Sequence, residues 1–306
     1  MSVSPELGEQ KEVRLSSGTI RYRERGSGEP IVFVHGLLVN GDLWRNVVPL
    51  LAAEFRCITP DWPLGSQDLP LDPGVRLTTR KAAGIVRRFL DALDLKAATL
   101  VGNDTGGGLC QIVVAERPER VGRLVLTSSD AFENFPPKAL YPLMAVARVP
   151  GLPWLLLQSM RIGPLRRLPI AFGWLTKRPI PDEIVMGSYL RPSLENGLVM
   201  RDAINLIKDI SPKHTKSAAE KLPQFTKPVL IAWAKEDRIF PVADAYRLSE
   251  TFPNARVELI EDSYTFVPED QPSTLAASIA AFMRETAAVR EPEASLGGAQ
   301  DRQEVT

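Results

Sequence analysis

Short, continuous apolar runs alternate with helical patterns over the first 131 residues of the chain, and the same rhythm returns near residue 228. We interpret six of these runs as buried strands: 30–34, 56–59, 98–102, 123–126, 228–233 and 256–260. Strands that are apolar throughout are typical of parallel sheets that are covered on both faces. Their alternation with helices predicts an α/β fold with a mostly parallel, doubly wound sheet.

Local signals add further elements to this framework. Residues 11–15 and 19–23 predict two strands of a hairpin that turns at Ser17-Gly18. Thr78 predicts the N-cap of an amphipathic helix. The apolar face of that helix contains Ala82, Ile85, Val86, Phe89, Leu90 and Leu93.

The alternation of strands and helices breaks between residues 132 and 214. Strand patterns are absent from this stretch, and closely spaced prolines separate short helical pieces. We therefore predict a helical cap at 132–214, inserted into a core formed by residues 1–131 and 215–287. Residues 1–10 and 288–306 are polar and poor in apolar groups, and we expect them to be disordered.

One strand ends in a glycine-flanked acid that organises the candidate chemistry. The sequence Gly102-Asn103-Asp104-Thr105-Gly106 ends the apolar run, and a helical pattern follows it. A strand, a sharp turn and a helix with the frame Gly-x-Asp-x-Gly match the nucleophile-elbow pattern, with Asp104 in the place usually held by serine. A carboxylate at such a turn can attack an electrophilic carbon and form a covalent ester.

Three alternative interpretations of this turn compete. A phosphate-binding loop does not fit, because the glycine spacing after Gly106 is wrong and no Walker lysine follows. An aspartic-protease triplet needs a second Asp-Thr-Gly or Asp-Ser-Gly and an all-β context, and the sequence offers neither. A plain strand-to-helix turn, with Asp104 as the helix cap, stays open on the sequence of the turn alone.

Composition narrows the class of protein without naming a chemistry. A chain of 306 residues with 44% hydrophobic content suits one core domain with a large insertion. Lys+Arg and Asp+Glu both number 37, so no general attraction to nucleic acid or anionic lipid is implied. Cys57 and Cys110 make no disulfide framework, and the chain has no apolar signal core or membrane-length run. We expect a cytoplasmic protein that takes a small-molecule substrate and has no cofactor, metal, nucleic-acid or membrane partner.

Several features together resemble the α/β-hydrolase superfamily over residues 11 to 287. They are His35-Gly36 after a strand, the elbow at Asp104, a cap after the following strand, and Asp237 after the penultimate strand. An aspartate at the elbow resembles the branch that contains epoxide hydrolases and haloalkane dehalogenases. The resemblance implies an α/β-hydrolase fold in which Asp104 is the nucleophile.

The resemblance also implies roles for residues around the elbow. The backbone N–H groups of Leu37 and Thr105 would form the oxyanion hole. Asp237 would be the acid that orients a catalytic histidine. Asp130 is a second candidate for that acid, because some members of the superfamily place it there.

The histidine of the superfamily is missing from its usual place. In the turn after the last strand Phe266 matches the family pattern, but Thr265 occupies the histidine position. The chain has two histidines. We expect His35 to shape the oxyanion loop, and His214, where the cap returns to the core, is retained as a candidate catalytic residue. Without an imidazole to activate water, a covalent ester on Asp104 would accumulate.

The remaining residues favour an epoxide over an ester or an alkyl halide. Relatives that cleave carbon–halogen bonds often carry a tryptophan directly after the nucleophile, and Thr105 stands there. Tyr141 and Tyr189 of the predicted cap are candidates to donate a proton to an opening epoxide. The expected substrate-binding set is completed by His35, Trp154 and Thr265.

Two hypotheses of function follow from the sequence. The first is a hydrolase that uses Asp104 as the nucleophile on a small, fairly apolar substrate. The second is a protein of the same fold that does not hydrolyse: a lyase, an isomerase, a cyclase or a ligand-binding protein. Thr265 favours the second hypothesis, and the intact elbow favours the first.

Overall fold

The computed structural model describes residues 4–288, which are built around one sheet of eight strands. The strands are β1 (Glu9–Leu15), β2 (Gly18–Arg25), β3 (Pro30–Val34), β4 (Arg56–Pro60), β5 (Ala98–Asp104), β6 (Val121–Ser129), β7 (Val229–Ala234) and β8 (Ala255–Ile260). Their order across the sheet is β1-β2-β4-β3-β5-β6-β7-β8. The β1–β2 and β2–β4 pairs are antiparallel and all other pairs are parallel, as the apolar runs predicted.

Helices connect the parallel strands. They are α1 (Val48–Leu51), α2 (Thr79–Ala92), α3 (Thr105–Glu116), α4 (Tyr141–Val146), α5 (Leu152–Ser159), α6 (Gly163–Arg166), α7 (Asp182–Ile184), α8 (Arg191–Glu195), α9 (Gly197–Asp209), α10 (Pro212–Ala219), α11 (Val242–Thr251), α12 (Val267–Asp270) and α13 (Pro272–Ala288). Short 3-10 turns lie at Pro5–Leu7, Gly41–Trp44, Lys138–Leu140 and Leu222–Gln224, and π-helical turns at Pro169–Gly173 and Val185–Leu190. Thr78 caps α2 as predicted, with its side chain accepting a hydrogen bond from the Lys81 N–H. Within residues 4–288, no helix combines the length and apolar character that crossing a bilayer requires.

Successive side chains of the central strands enter two separate hydrophobic clusters. In β3, Val32 and Val34 belong to one cluster, whereas Ile31 and Phe33 belong to the other. Neighbouring side chains of a strand point to opposite faces, so a strand with both sets buried is covered on both sides. This packing explains why the central strands have continuous rather than alternating apolar sequences.

The stretch between β6 and β7 forms helices and turns, apart from one bridge between Ala131 and Asn134. We refer to residues 132–214 as the helical insertion. Helix α10, which begins at the end of this stretch, packs against α3 of the core.

The ends of the chain differ from the sequence-based expectation. Residues 1–10 were expected to be disordered, but β1 begins at Glu9 and a 3-10 turn covers Pro5–Leu7. Leu7 is fully buried in a hydrophobic cluster, which holds this segment against the core. Helix α13 extends to Ala288, and the remainder of the predicted tail lies outside the described residues.

Candidate active site

Asp104 lies at a sharp turn where β5 ends and α3 begins at Thr105. Its backbone has φ 53° and ψ −131°, a conformation that residues with a side chain rarely adopt. A strained residue of this kind at a strand-to-helix turn is the geometry of a nucleophile elbow. The turn is therefore more than an ordinary helix cap, and the Asp104 side chain makes no capping hydrogen bond to α3.

Glycines make the close packing of this turn feasible. A methyl group on Gly106 would lie 2.1 Å from the backbone oxygen of Val34, and one on Gly36 would lie 2.0 Å from Asp104 Oδ2. Both distances are far too short for non-bonded atoms. The carboxyl of Asp104 can lie directly against the loop that follows β3 because Gly36 has no side chain.

Two backbone N–H groups stabilise the charged Asp104 carboxyl. The Leu37 N–H donates to Oδ2 at 3.2 Å, and the Thr105 N–H also stabilises the charged form. Burial raises the pKa of Asp104 to about 7, the N–H groups of Leu37 and Thr105 oppose that rise, and the charge of Asp237 adds to it. These are the two N–H groups that the sequence assigned to an oxyanion hole.

Asp130 and Asp237 are buried close enough to interact with Asp104. Asp130 directly follows β6, and its pKa is raised well above the usual range by burial and by the charge of Asp104. Asp237 follows β7, and burial raises its pKa as well. Three buried carboxyl groups cannot all be ionised without a cation, so this cluster holds protons near neutral pH.

The Asp237 carboxyl is tied to the backbone and to Thr265. Its Oδ1 accepts from the N–H groups of Ile239 at 2.7 Å and Phe240 at 2.8 Å, and from Thr265 Oγ1 at 2.9 Å. Ser128 lies near enough to lower the pKa of Asp237, but no well-formed hydrogen bond reaches Oδ2. An acid placed to orient an imidazole therefore orients a hydroxyl instead.

Thr265 is held in the position expected for the missing histidine. It is fully buried, and its backbone oxygen accepts a 2.8 Å hydrogen bond from Asn103 Nδ2 in β5. Asn103 directly precedes Asp104. The turn after β8 is thereby fixed against the elbow strand, and a hydroxyl stands there where an imidazole would be needed to activate water.

Neither histidine of the chain supplies a base at this site. His35 is buried; its Nε2 accepts from the Trp62 N–H at 2.9 Å, its Nδ1–H donates to the Gly36 oxygen, and burial lowers its pKa to about 4. His214 lies on α10 with Nε2 3.2 Å from an Asp209 carboxylate oxygen, and burial lowers its pKa. Neither lines the cavity that contains Asp104. The structure therefore does not bring the predicted catalytic residue His214 to the cavity of Asp104.

Asp104 opens into a cavity of about 160 Å³ between the core and the helical insertion. Asp104 and Ser193 are the polar residues among those that line it, and the Ser193 hydroxyl donates to the Gly65 oxygen at 2.6 Å. The apolar lining comes from Leu37, Leu38, Leu140, Leu143, Pro153, Leu156, Leu157, Met160, Pro169, Ala171, Phe172, Leu175, Leu190, Met200, Ala203, Ile204, Ile207 and Ile239. The site thus presents one carboxyl to an apolar substrate.

The predicted substrate-binding side chains do not line this cavity. Tyr141 is 52% exposed and Trp154 is 50% exposed. The Tyr189 hydroxyl donates to Glu269 in a buried cluster with Arg45, so it points to a different partner. His35 and Thr265 are fully buried. For Tyr141, Trp154 and Tyr189 the difference lies in which way the side chain points, which the sequence of short irregular helices does not reveal.

The lining residues that the sequence analysis missed follow a recognisable pattern. Met200, Ala203, Ile204 and Ile207 lie on α9 at the spacing of one helix face. Leu140 and Leu143 are also three residues apart. Helical spacing predicts such a face, but it does not tell a cavity wall from ordinary packing.

Comparison with known proteins agrees with this geometry. Residues 29–160 match the family model described as alpha/beta hydrolase fold. Over 277 residues the chain is 29% identical to "Haloalkane dehalogenase 2" of Mycobacterium tuberculosis, covering 86% of this chain and 91% of that protein. It is also 29% identical over 279 residues to "Cis-3-alkyl-4-alkyloxetan-2-one decarboxylase" of Shewanella oneidensis, covering 87% and 86%. The crystal structure of haloalkane dehalogenase DatA from Agrobacterium tumefaciens C58 matches with a TM-score of 0.76 at 22% identity, covering 92% of this chain and 99% of that one.

Among the described residues, no three His, Cys, Asp or Glu side chains are grouped to hold a metal ion. The candidate chemistry therefore rests on the carboxyl of Asp104 and the groups that surround it.

The buried carboxyl of Asp104 predicts a pH-dependent gain in stability for Asp104→Asn. Because the folded state raises this pKa, folded Asp104 binds a proton more tightly than unfolded Asp104, and stability falls as pH rises from about 4 through about 7. Asparagine cannot ionise, so at about pH 8 the free energy of unfolding of the variant should exceed that of the parent by on the order of 1–3 kcal/mol. The difference should shrink as the pH falls toward about 4.

Urea unfolding across this pH range measures the effect. Glu195→Gln is the matched control, because Glu195 is exposed and its removal should give no such pH dependence. A constant difference between Asp104→Asn and the parent at all pH values would contradict the raised pKa.

Proposed function

The chain has the α/β-hydrolase fold, and from that premise we propose that Asp104 is a carboxylate nucleophile toward a small, apolar electrophile. The observation that carries the proposal is the position of Asp104 as the single ionisable residue among those lining an apolar cavity. The helical insertion then serves as the cap that supplies most of the substrate-binding surface. Relatives named as hydrolases support the same general class.

Attack by Asp104 requires its ionised form and an aligned second oxygen. The Leu37 N–H holds Oδ2, which leaves the other carboxyl oxygen to attack. Its pKa of about 7 means that a large fraction is ionised at neutral pH. Poor solvation makes a buried carboxylate a stronger nucleophile than one in water.

The lining residues favour electrophiles whose leaving group needs no proton. Tyr141 and Tyr189, on which the epoxide preference rested, do not line the cavity. The tryptophan that would stabilise a halide is replaced by Thr105. When the alkyl carbon of a strained ester is attacked, the leaving group is a stabilised carboxylate. We therefore propose strained esters as better candidate substrates than epoxides and halides.

The fate of the covalent ester decides between the two hypotheses drawn from the sequence. Hydrolysis requires a base to activate water. The group nearest to that role is the Thr265 hydroxyl, which donates to Asp237 and is far too weak a base near neutral pH. A hydrolytic cycle in this site is therefore expected to be slow.

A cycle that needs no water is the second candidate function. The relative from Shewanella oneidensis is named for decarboxylating an oxetan-2-one, a four-membered lactone. With such a substrate, Asp104 would attack the alkyl carbon that bears the ring oxygen, and that carbon–oxygen bond would break to release a carboxylate. Loss of CO2 would then form a carbon–carbon double bond and expel Asp104 as its carboxylate. The lactone would become an alkene and CO2, with the nucleophile regenerated and no base required.

Asp104→Asn should abolish turnover of apolar esters and lactones, by about 10⁴-fold or more, because an amide cannot replace a carboxylate nucleophile. Asp237→Asn should cost far less, on the order of tenfold, since Asp237 has no imidazole to orient. Steady-state assays of the two variants at about pH 8 make the comparison. Equal losses would mean that Asp237 takes part in the chemistry directly, and an active Asp104→Asn protein would refute the proposal.

Thr265→His should raise hydrolysis of activated esters, because it would place an imidazole between Asp237 and the ester carbon of Asp104. General-base assistance is worth about 10²- to 10⁴-fold, so even a poorly aligned ring should give a measurable gain. The gain should appear as pH rises through about 6 to 7, where imidazole loses its proton.

Thr265→Val is the matched control, since it removes the hydroxyl without adding a base. The gain should also vanish in the double variant Thr265→His with Asp104→Asn. If a structure shows the new ring within hydrogen-bond reach of the carboxyl and hydrolysis does not rise, a missing base is not what limits this site.

A further inference from the structure

The helical insertion exposes an unusual concentration of large apolar side chains. Of the nine such side chains that are strongly exposed in the described residues, six lie between residues 141 and 168. They are Tyr141, Val149, Trp154, Leu155, Ile162 and Leu168. Apolar surface collected in one part of a protein marks an interaction site more often than apolar residues scattered singly.

Helix α5 shows the arrangement most clearly. Pro153, Leu156 and Leu157 line the active-site cavity, whereas Trp154 and Leu155 on the same helix are 50% and 59% exposed. A helix that is apolar on all sides is normally covered on all sides. Within residues 4–288, no part of the protein covers the outer face of α5.

The charges of this region are strongly one-sided. Residues 134–181 contain seven Lys and Arg residues and no Asp or Glu, although the whole chain has a net charge of zero. Three of these cations pair with carboxylates from outside the stretch. The other four are exposed and form no ion pair with a carboxylate of the described residues. They are Lys138, Arg148, Arg161 and Arg167.

Part of the exposed apolar surface lies next to the active-site cavity. Val149 and Trp154 line a second hollow of about 210 Å³. Pro153, Met200 and Ile204 line both this hollow and the cavity of Asp104. The hollow beside Trp154 therefore shares part of its wall with the cavity that contains Asp104.

We propose that residues 138–168 dock the protein on an anionic lipid surface and that its apolar substrate enters the cavity from that surface. Trp and Leu side chains insert at the headgroup–acyl boundary, and Lys and Arg side chains bind anionic headgroups. The proposal of docking depends only on the exposed residues. The proposal that substrate enters from the lipid surface depends also on the proposed function. The sequence-based expectation of no membrane partner came from a net charge of zero, which averages this basic region with acidic ones.

A lipid surface fits this face better than a second copy of the chain. In a two-fold dimer the same surface of both copies would be in contact. The cations of one copy would then face those of the other: Lys138, Arg148, Arg161 and Arg167. Juxtaposed like charges oppose such an interface. In a lipid surface, anionic headgroups pair with these cations, and the apolar side chains can insert among the acyl chains.

Flotation of the full chain with phosphatidylcholine vesicles, with and without phosphatidylglycerol, tests the docking. We expect binding to vesicles that contain phosphatidylglycerol, weakened by added salt. Arg161→Gln with Arg167→Gln should weaken binding by about 25-fold, at about fivefold for each charge. Trp154→Ser with Leu155→Ser should weaken it by about tenfold or more.

Arg76→Gln and Tyr246→Ser are the matched controls, because both residues are exposed outside this region and neither change should alter binding. Asp104→Asn should bind vesicles like the parent, which separates docking from catalysis. If Asp104→Asn keeps its turnover while docking persists, the proposed function fails and docking stands.

Two results would overturn the docking proposal. One is that the protein does not bind phosphatidylglycerol vesicles. If, in addition, sedimentation finds a dimer that the Trp154 and Leu155 changes dissociate, the apolar face is an interface between two copies of the chain. The other is binding that the control variants weaken as much as the four targeted changes.

Discussion

The carboxyl of Asp104 is buried against apolar side chains, and the cost of desolvating its charge governs the arrangement around it. Burial raises its pKa to about 7, and the N–H groups of Leu37 and Thr105 oppose that shift. Those donors reach the carboxyl because Gly36 has no side chain and because the elbow holds Asp104 at φ 53°. The tight glycine packing, the strained backbone and the parallel sheet beneath them all serve to hold one carboxylate in an apolar cavity.

The exchange of an imidazole for a hydroxyl at position 265 changes what such a carboxylate can do. Asp237 keeps its backbone hydrogen bonds, but it accepts a hydrogen bond from the Thr265 hydroxyl instead of orienting a base. The groups that the proposed first, covalent step requires are present, because the Asp104 carboxyl and its N–H donors are in place. The second step is the one that lacks its usual group, which is why a cycle that regenerates Asp104 without water suits this site.

Much of the fold followed from the sequence because burial on both faces leaves a simple signature. The run 30–34 is apolar throughout, and β3 covers Pro30–Val34. The elbow was equally visible, since glycine spacing encodes a steric need that no other residue meets. The side chains of the helical insertion were not predictable in this way. Tyr189 and Leu190 are neighbours in sequence, yet one joins Glu269 in a buried polar cluster and the other lines the cavity. Such directions depend on tertiary packing between short, proline-interrupted helices.

A primary alkyl iodide tests the central claim most directly, because iodide leaves without a proton donor and an alkyl ester cannot lose CO2. Incubation should add one alkyl group to the intact protein, and peptide mapping should place it on Asp104. The account predicts that this mass persists, since no imidazole activates water, and that its rate of formation rises with pH through about 7. Formation of free alcohol with no adduct at any time, or an adduct on another residue, would contradict it.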